Sequence, residues 1–296
     1  MPNGSRVRPS AAVRPKTGRG IRSGNGALAS GAASGFLLLL CALFAFPFLW
    51  MILATFKANP QIFSPFPLLP EEFHFRHYRS LLSGEWIPYP RQFLNSLFIA
   101  AVQTLLAVSL SAAAGFTFAK HAFRGKRILF ALAVLVVLIP RQVMVLPLFT
   151  WMNDLKLLDG PWSVIWPGAV SGIGVIYFTQ VCKRLPDELL DMARSEGASE
   201  YRVFFAVLPL LKPALIAYGL IHFILAWHEH LIPLVMLSTP EHMTSGVALS
   251  SLYGSSLHIP YGLLMAGSAL TVIPTALLYL LAQKHFKSSL AELTLQ

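Results

Sequence analysis

Residues 183–213 read KRLPDELLDMARSEGASEYRVFFAVLPLLKP and lie between two long apolar segments. Pro186 suits the first turn of a helix, and the two acidic residues that follow favour the positive end of a helix dipole. Gly197 is placed to end that helix in a left-handed conformation, and Ser199 can cap a second helix. The stretch therefore predicts a short helix–turn–helix in which five basic and five acidic residues cancel.

The first of these two helices is predicted to be amphipathic. Its apolar stripe consists of Leu189, Leu190, Met192 and Ala193. One interpretation is a helix resting on lipid headgroups, but such helices are usually strongly cationic. The other interpretation is a helix that docks in a groove of another protein, which mixed charge and apolar side chains suit better. The residues alone favour docking and leave both interpretations open.

The composition of the whole chain is that of a membrane protein. Of its 296 residues, 55% are hydrophobic and only 12% are charged, against about 25% charged in soluble domains. This composition argues against a disordered chain, a disulfide-stapled secreted domain and an ordinary cytosolic enzyme. The net charge of +10 suggests nucleic-acid binding at first sight, but the basic residues gather at the N-terminus and at the ends of apolar segments. Six of them lie in the first 22 positions: Arg6, Arg8, Arg14, Lys16, Arg19 and Arg22.

Six apolar segments approach or exceed the length of about 20 residues that a membrane-spanning helix needs. They are residues 27–56, 92–119, 128–153, 160–182, 213–237 and 259–283. All are too long for buried strands and lack the alternation of a half-buried strand. The fold class predicted is therefore an all-α integral membrane protein with six transmembrane helices.

The loops between these segments predict the orientation of the chain. Loops rich in Lys and Arg alternate with loops that are not, which places both termini in the cytoplasm and residues 183–212 on the cytoplasmic side. We predict a basic disordered tail at residues 1–30, a transmembrane domain at residues 31–286 and a cytoplasmic tail at residues 287–296. A cleaved signal peptide is the alternative for the first segment, but its uncharged stretch is longer than the usual apolar region.

Arg141 is the one charge inside the third segment, about 14 residues from its cytoplasmic end and so ~20 Å into the membrane. Charges inside membranes are costly and usually face a cavity or a partner. Three interpretations stay open. Arg141 extends to the outer interface, pairs with Asp154, Asp159 or Glu229, or touches a solute in a pathway.

Other chemistries find little support in the sequence. The chain has no GxxxxGK[ST] motif and is not expected to hydrolyse ATP itself. His228, Glu229 and His230 lie next to one another, but neighbouring residues point to different helix faces, and no zinc motif is present, so no metal is expected. A secondary transporter would need acidic residues inside several spans, and a membrane-embedded enzyme would need a nucleophile or metal motif.

Several motifs resemble one known family. Asp191-Met192-Ala193, then Gly197 and Leu208-Pro209, are similar to the EAA loop of ABC importer membrane subunits. The motifs that resemble the carbohydrate-uptake branch are Asn95-Ser96-Leu97, Phe116 to Lys120, Phe123 to Arg127, Ile139 to Val143, Leu146 to Leu148, Leu155 to Asp159, Trp227, and Pro233-Leu234. Together they cover roughly residues 36 to 286. The chain departs from the pattern at Met192, at Glu196, at Trp227-His228 and in a loop one residue shorter before Pro209.

The resemblance implies the type I importer permease fold with cytoplasmic EAA coupling helices, and a function without catalysis. It implies a subunit that passes a sugar or related polar solute from an extracytoplasmic binding protein into the cytoplasm, in the bacterial inner membrane. The implied partners are a second permease subunit, two ATPase subunits that bind ATP and Mg²⁺, and the binding protein; no cofactor is expected on this chain.

The resemblance also implies which residues do this work. Residues 186–209 would dock on the ATPase, with Gly197 setting the turn. The docking residues are Glu188, Leu189, Leu190, Asp191, Met192, Ala193, Glu196, Gly197 and Ala198. The candidate residues of the solute path are Arg141, Trp227, His228 and Glu229.

Overall fold

The backbone of this chain is folded into helices wherever the structure describes regular elements. A computed structural model describes residues 24–64, 67–253 and 259–293, with side chains described between residues 33 and 281 of these ranges. Besides a short 3-10 turn at Asn59–Gln61, the helices in chain order are α1 (Gly24–Ala54), α2 (Arg76–Ser83), α3 (Tyr89–Lys120), α4 (Lys126–Leu138), α5 (Arg141–Asp154), α6 (Trp162–Ala169), α7 (Gly172–Lys183), α8 (Asp187–Ser195), α9 (Glu200–Trp227), α10 (Leu231–Met236), α11 (Ser245–Ser251) and α12 (Tyr261–Leu293).

The chain divides into two units, residues 1–49 and 50–296. In the first unit the described residues belong to α1, and its side chains from residue 33 onwards are almost all exposed although they are almost all apolar. A helix that is apolar all round belongs in a membrane. The second unit contains α2 to α12.

The predicted spans are confirmed as helices, with two of them broken. Four helical segments are long and apolar enough to cross a membrane without interruption, namely Ala33–Ala54, Tyr89–Lys120, Glu200–Trp227 and Tyr261–Leu281. Two pairs of shorter helices, α4 with α5 and α6 with α7, have the length and composition of one span each but are bent between their members. Counting each pair as one span makes six.

The third span is not the continuous helix that the sequence predicted. α4 and α5 meet at an angle of 108°, with Ile139 and Pro140 in extended conformations between them. The ring of Pro140 disfavours the helical conformation for the residue before it and supplies no N–H to continue the helix. Arg141 is consequently the first residue of α5, at the break of the span, rather than a residue inside a continuous helix.

The fourth span is bent by 41° between α6 and α7. Gly168 and Gly172 lie on either side of this break. A side chain on Gly168 would collide with Gln103 of α3, and one on Gly172 would collide with the carbonyl of Ala133 in α4. The two glycines therefore allow close packing against two different helices.

Four predicted boundaries differ from the structure. The fifth span starts at Glu200 rather than at residue 213, because Pro209 and Pro213 lie inside α9, and it ends at Trp227 rather than at residue 237. Prolines inside membrane helices are tolerated where neighbouring groups satisfy the freed carbonyls. α12 continues to Leu293 and α1 starts at Gly24, so helix extends into both predicted tails. The six basic residues of the N-terminal tail lie outside the described residues.

α3 is the central helix of the second unit and contacts α6, α7, α9 and α11. Its buried residues include Ser96, Ala100, Ala107, Ser111 and Gly115. Small residues let helix backbones approach closely in membranes. The closest approach is at Gly115, where an added Cβ would lie 2.7 Å from the backbone carbonyl carbon of Phe178 in α7.

We predict that Gly115→Ala lowers the thermal unfolding temperature of the detergent-purified chain, because the backbone of α7 must move to admit a methyl group. The matched control is Gly219→Ala in α9, whose added Cβ would lie 3.6 Å from the nearest atom, an ordinary contact. The control gains helix propensity of about 1 kcal/mol and should unfold no earlier than the wild type. Equal unfolding temperatures for the two variants would contradict the close approach.

Candidate functional site

The turn after α8 is built around Gly197, as predicted. Gly197 has a φ of 78°, the left-handed region that residues with a Cβ adopt reluctantly. Its N–H donates to the carbonyl of Arg194 over 2.9 Å, and the N–H of Ala198 donates to the carbonyl of Ala193 over 3.1 Å. This pair of bonds is the Schellman motif that closes a helix C-terminus. Ser199 takes the N-cap position of α9 without a side-chain capping bond.

Leu190 does not lie on the outer face of α8, contrary to the prediction that it docks on a partner. Leu190 is only 1% exposed and packs in a core cluster with Phe116, Cys182, Val203 and Leu211. These residues come from α3, α7 and α9. Leu190 therefore attaches α8 to the ends of three helices of the bundle.

The outer face of α8 is apolar in part. Met192 is 65% exposed, Leu189 is exposed beside it, and Tyr201 and Phe205 extend the exposed apolar surface along the start of α9. We call these four residues the α8 patch. Of the other predicted docking residues, Glu188, Asp191, Glu196 and Gly197 are exposed, and Ala193 and Ala198 are half-buried.

Ion pairs hold both ends of α8. The ammonium group of Lys120, whose side chain is only 6% exposed, lies 2.7 Å from Oδ1 of Asp187 and also donates to the carbonyl of Leu185. The hydrogen bond from Lys120 lowers the pKa of Asp187. At the other end Arg194 donates to Glu200 over 2.9 Å and to Asp191 over 3.1 Å. The bond to Glu200, followed by that to Asp191, raises the pKa of Arg194.

Substitutions on the inner and outer faces of α8 should change the stability of the chain by different amounts. We predict that Leu190→Ala destabilises the chain by about 2–5 kcal/mol, because it opens a cavity in a packed cluster. Met192→Ala, on the exposed face, should change stability by no more than about 0.5 kcal/mol. Thermal unfolding of both variants in detergent checks the prediction, and a similar loss in both would show that α8 does not pack as described.

A second site is a cavity of about 690 Å³ at the breaks of the third and fourth spans. Its lining is mostly apolar, with four polar or charged side chains: Gln103, Arg141, Ser171 and Glu229. The apolar part includes Trp151 and Trp166, both of which are exposed. Ligand cavities typically combine such a lining with a few placed polar groups.

Arg141 pairs with Glu229 in this cavity. Nη1 of Arg141 lies 2.9 Å from Oε2 of Glu229. Of the three interpretations open from the sequence, the structure shows the ion pair, and Glu229 rather than Asp154 or Asp159 is the partner. The other carboxylate oxygen of Glu229 accepts from the N–H of Leu231 over 3.1 Å at the start of α10.

Trp227 and His228 do not line the cavity, contrary to the prediction for the solute path. Trp227 is buried, stacks on Phe223 and donates from Nε1 to the carbonyl of Thr271 over 3.1 Å. His228 is exposed at the end of α9 and lies 3.5 Å from the hydroxyl of Thr275. The two residues face α12, because α9 ends at Trp227 and the chain turns before Glu229.

Among the residues with described positions no group of three or more metal-binding side chains occurs.

Asp159 joins two loops through its carboxylate, a structural role that the sequence analysis did not predict. Its carboxylate accepts from the backbone N–H groups of Ser238 and Thr239, both over 2.9 Å, from the Thr239 hydroxyl, and from Nδ1 of His242 over 3.1 Å. Burial by itself would raise the pKa of Asp159, but the hydrogen bonds from Thr239, Ser238 and His242 outweigh it and hold that pKa well below its ordinary value. The only sequence signal was an acid at the end of a loop. Its partners lie about 80 residues away.

We predict that Asp159→Ala costs about 1–3 kcal/mol at neutral pH, because backbone donors lose their acceptor. A carboxylate with a lowered pKa stabilises the fold above its unfolded pKa and stops doing so as the pH falls. The difference between wild type and variant in thermal unfolding should therefore shrink below about pH 4. Asp159→Asn, which tolerates the left-handed backbone at this position (φ 58°) and keeps one acceptor, should be intermediate. Equal unfolding temperatures at neutral pH would contradict the role.

Comparisons with known proteins agree on the kind of protein. The family model described as "Binding-protein-dependent transport system inner membrane component" matches residues 105–292. The arabinooligosaccharide transport permease AraQ of Bacillus subtilis is 33% identical over 86% of this chain and 92% of its own length. The lactose transport permease LacG of Rhizobium radiobacter is 30% identical over 84% of this chain and 90% of its own length.

A solved structure shares the fold. It is the crystal structure of a bacterial ABC transporter involved in the import of the acidic polysaccharide alginate. Its matching chain superposes with a TM-score of 0.79 at 18% identity, covering 89% of this chain and 98% of the other. At this identity the similarity shows the fold alone.

Proposed function

Because the chain belongs to the family of binding-protein-dependent transport system inner membrane components, we propose that it is the permease subunit of an ATP-driven importer for a sugar or a related polar solute. As such it is the non-catalytic membrane component. The relatives named for arabinooligosaccharides and for lactose support a saccharide as the solute. ATP and Mg²⁺ bind on separate ATPase subunits.

The ATPase docks on the α8 patch and on α8 itself, which we place on the cytoplasmic side. The patch exposes Leu189, Met192, Tyr201 and Phe205 on one short stretch of chain, and Glu188 and Glu196 stand exposed on the same helix. Apolar anchors surrounded by charged side chains are what a protein groove receives from a docking helix. This exposed apolar face on a helix that is anchored from behind is the observation that carries the proposal.

Movement of the docked ATPase reaches the membrane spans through the anchoring contacts. Leu190 connects α8 to α3, α7 and α9, and Lys120 at the end of α3 grips Asp187 at the start of α8. The Schellman turn at Gly197 and the Arg194–Glu200 pair fix α8 against α9. Because interactions hold α8 at both ends, a push on α8 displaces the bundle instead of bending the loop. The spans then alternate between inward-open and outward-open arrangements.

The solute path uses the cavity that contains Arg141 and Glu229. A second, homologous permease subunit completes the path, and an extracytoplasmic binding protein delivers the solute.

The chain lies in the bacterial inner membrane with both termini in the cytoplasm. The six spans and the Lys and Arg residues at the inner ends of α3 and α4 support this location and orientation.

We predict that Gly197→Val uncouples ATP hydrolysis from solute uptake. A branched side chain in the left-handed conformation costs of the order of 1–3 kcal/mol, which the turn relieves by releasing α8. The added Cβ itself meets no atom within 4 Å, so the effect comes from the backbone and the variant still reaches the membrane. Uptake in intact cells and ATPase activity of the isolated complex are measured together.

Gly197→Asn is the matched control, because asparagine adopts the left-handed conformation more readily than other residues with a side chain. It should keep uptake close to the wild-type rate. Normal uptake by Gly197→Val would refute the rigid coupling of α8, and isolation of the complex without an ATPase would refute the proposed function as a whole.

A further inference from the structure

Both broken spans are interrupted at the same cavity. The break of the third span at Ile139 and the break of the fourth span at Val170 and Ser171 all contribute lining residues. In a membrane, non-helical backbone persists only where protein buries it or where it lines a water-filled space. Two interruptions on one cavity therefore place non-helical backbone in the wall of an otherwise mostly apolar space.

The breaks present two helix N-termini to this space. α5 begins at Arg141 and α7 begins at Gly172, and both residues line the cavity. The first N–H groups of a helix have no backbone partner within it, and the N-terminus carries roughly half a positive charge. In α7 the hydroxyl of Ser171 accepts from one of them, the N–H of Gly174, over 3.2 Å. Interrupted membrane helices use such ends to meet anionic groups. The electrostatic potential of the backbone is therefore positive on this side of the cavity.

The side chains also indicate a site for an anion, because the two members of the ion pair differ in exposure and in the number of bonds that they make. Glu229 is 17% exposed, and its two oxygens accept from Arg141 and from the start of α10. Arg141 is 57% exposed, and a single one of its nitrogens, Nη1, takes part in the described pair. The carboxylate is satisfied by the protein, while Arg141, which lines the cavity, keeps further guanidinium donors outside this pair. An exposed guanidinium at this depth is costly unless something accepts from it.

The rest of the lining suits a saccharide. The indole rings of Trp151 and Trp166 stand exposed along the cavity wall, and an indole offers a broad flat apolar surface against which the apolar face of a sugar ring packs. The volume of about 690 Å³ lies in the range of small-molecule sites. A ring can therefore rest on the aromatic wall while its substituents reach Arg141.

We propose that this cavity binds the anionic group of an acidic saccharide, a carboxylate or a phosphate, and that Arg141 is the residue that selects for it. The inference rests on the proposed function, since it names the class of solute for the same path. A neutral sugar accepts from the guanidinium only through hydroxyl oxygens, whereas a carboxylate or phosphate accepts two parallel charge-assisted hydrogen bonds from it and is also favoured by the nearby helix N-termini.

The test uses the complete transporter, purified through a tag on this chain and placed in phosphatidylcholine nanodiscs. The probes are digalacturonate and dimannuronate, each paired with its neutral counterpart, galactobiose and mannobiose, and a phosphorylated disaccharide as a third class. Binding is followed by tryptophan fluorescence and by calorimetry. We expect at least one acidic probe to bind about tenfold more tightly than its neutral counterpart, as a hydrogen-bonded charge implies.

Arg141→Gln should weaken binding of that acidic probe at least about tenfold more than it weakens binding of the neutral probe. Arg91→Gln is the matched control, since it removes an exposed guanidinium at the start of α3, away from the cavity. Arg141→Lys, which retains charge but not the planar fork, should recover part of the affinity. Preference for the carboxylate or the phosphate probe decides which anion is bound.

Four outcomes would overturn the inference. They are equal binding of acidic and neutral probes, binding of neither class, equal loss of both classes in Arg141→Gln, and displacement of the acidic probe by phosphatidylglycerol in the disc, which would make a lipid headgroup the occupant. The proposed function is judged separately in the same preparation, by the presence of an ATPase and by ATP-dependent uptake of any solute. A transporter that imports only neutral sugars would support the proposed function and refute the inference that the cavity selects an acidic saccharide.

Discussion

Backbone polar groups inside a membrane need partners, and this requirement governs how the chain is built. Where a span is continuous, as in α3, the helix satisfies its own backbone and presents small residues to its neighbours. Where Pro140 removes a donor, the third span breaks and turns through 108°, and the exposed ends must be placed in a polar space. The cavity at Arg141 is therefore a consequence of the same rule that makes the remaining spans plain helices.

The end of the bundle that carries α8 is built differently, because most of its charged side chains are exposed and water can satisfy them. α8 is short and would be marginal alone, so its order comes from contacts with the bundle. Leu190 supplies the apolar contact, and Lys120 and Arg194 supply charged ones at the two ends. The same attachment leaves Leu189 and Met192 facing outward. Rigidity on one face and an apolar surface on the other are the two properties that a coupling helix needs.

Electrostatics divides the charged residues into those that hold the fold and those that face a ligand space. Asp159 accepts several hydrogen bonds and fastens the loop before α6 to the loop after α10. Glu229 likewise accepts from the N–H of Leu231 at the start of α10 with one carboxylate oxygen and pairs with Arg141 through the other. Arg141 is the exception, since its guanidinium is more than half exposed. A charge kept inside the spans without full internal compensation is the feature that most directly indicates a function in transport.

The order of apolar segments and the left-handed turn at Gly197 could be read from the residues, because each depends on local chemistry: the length of an apolar run and the missing Cβ of glycine. Which proline breaks a span could not, because Pro209 and Pro213 lie inside α9 whereas the third span breaks at Pro140. Contacts between distant positions could not. Periodicity placed Leu190 and Met192 on one stripe, and only the packing of α3, α7 and α9 decided that Leu190 faces inward. Proximity in the chain grouped Trp227 with Glu229, and the end of α9 separated them. Whether Arg141 met Asp154, Asp159 or Glu229 was likewise decided by tertiary structure, because the partner lies 88 residues away and is brought near by helices that pack side by side.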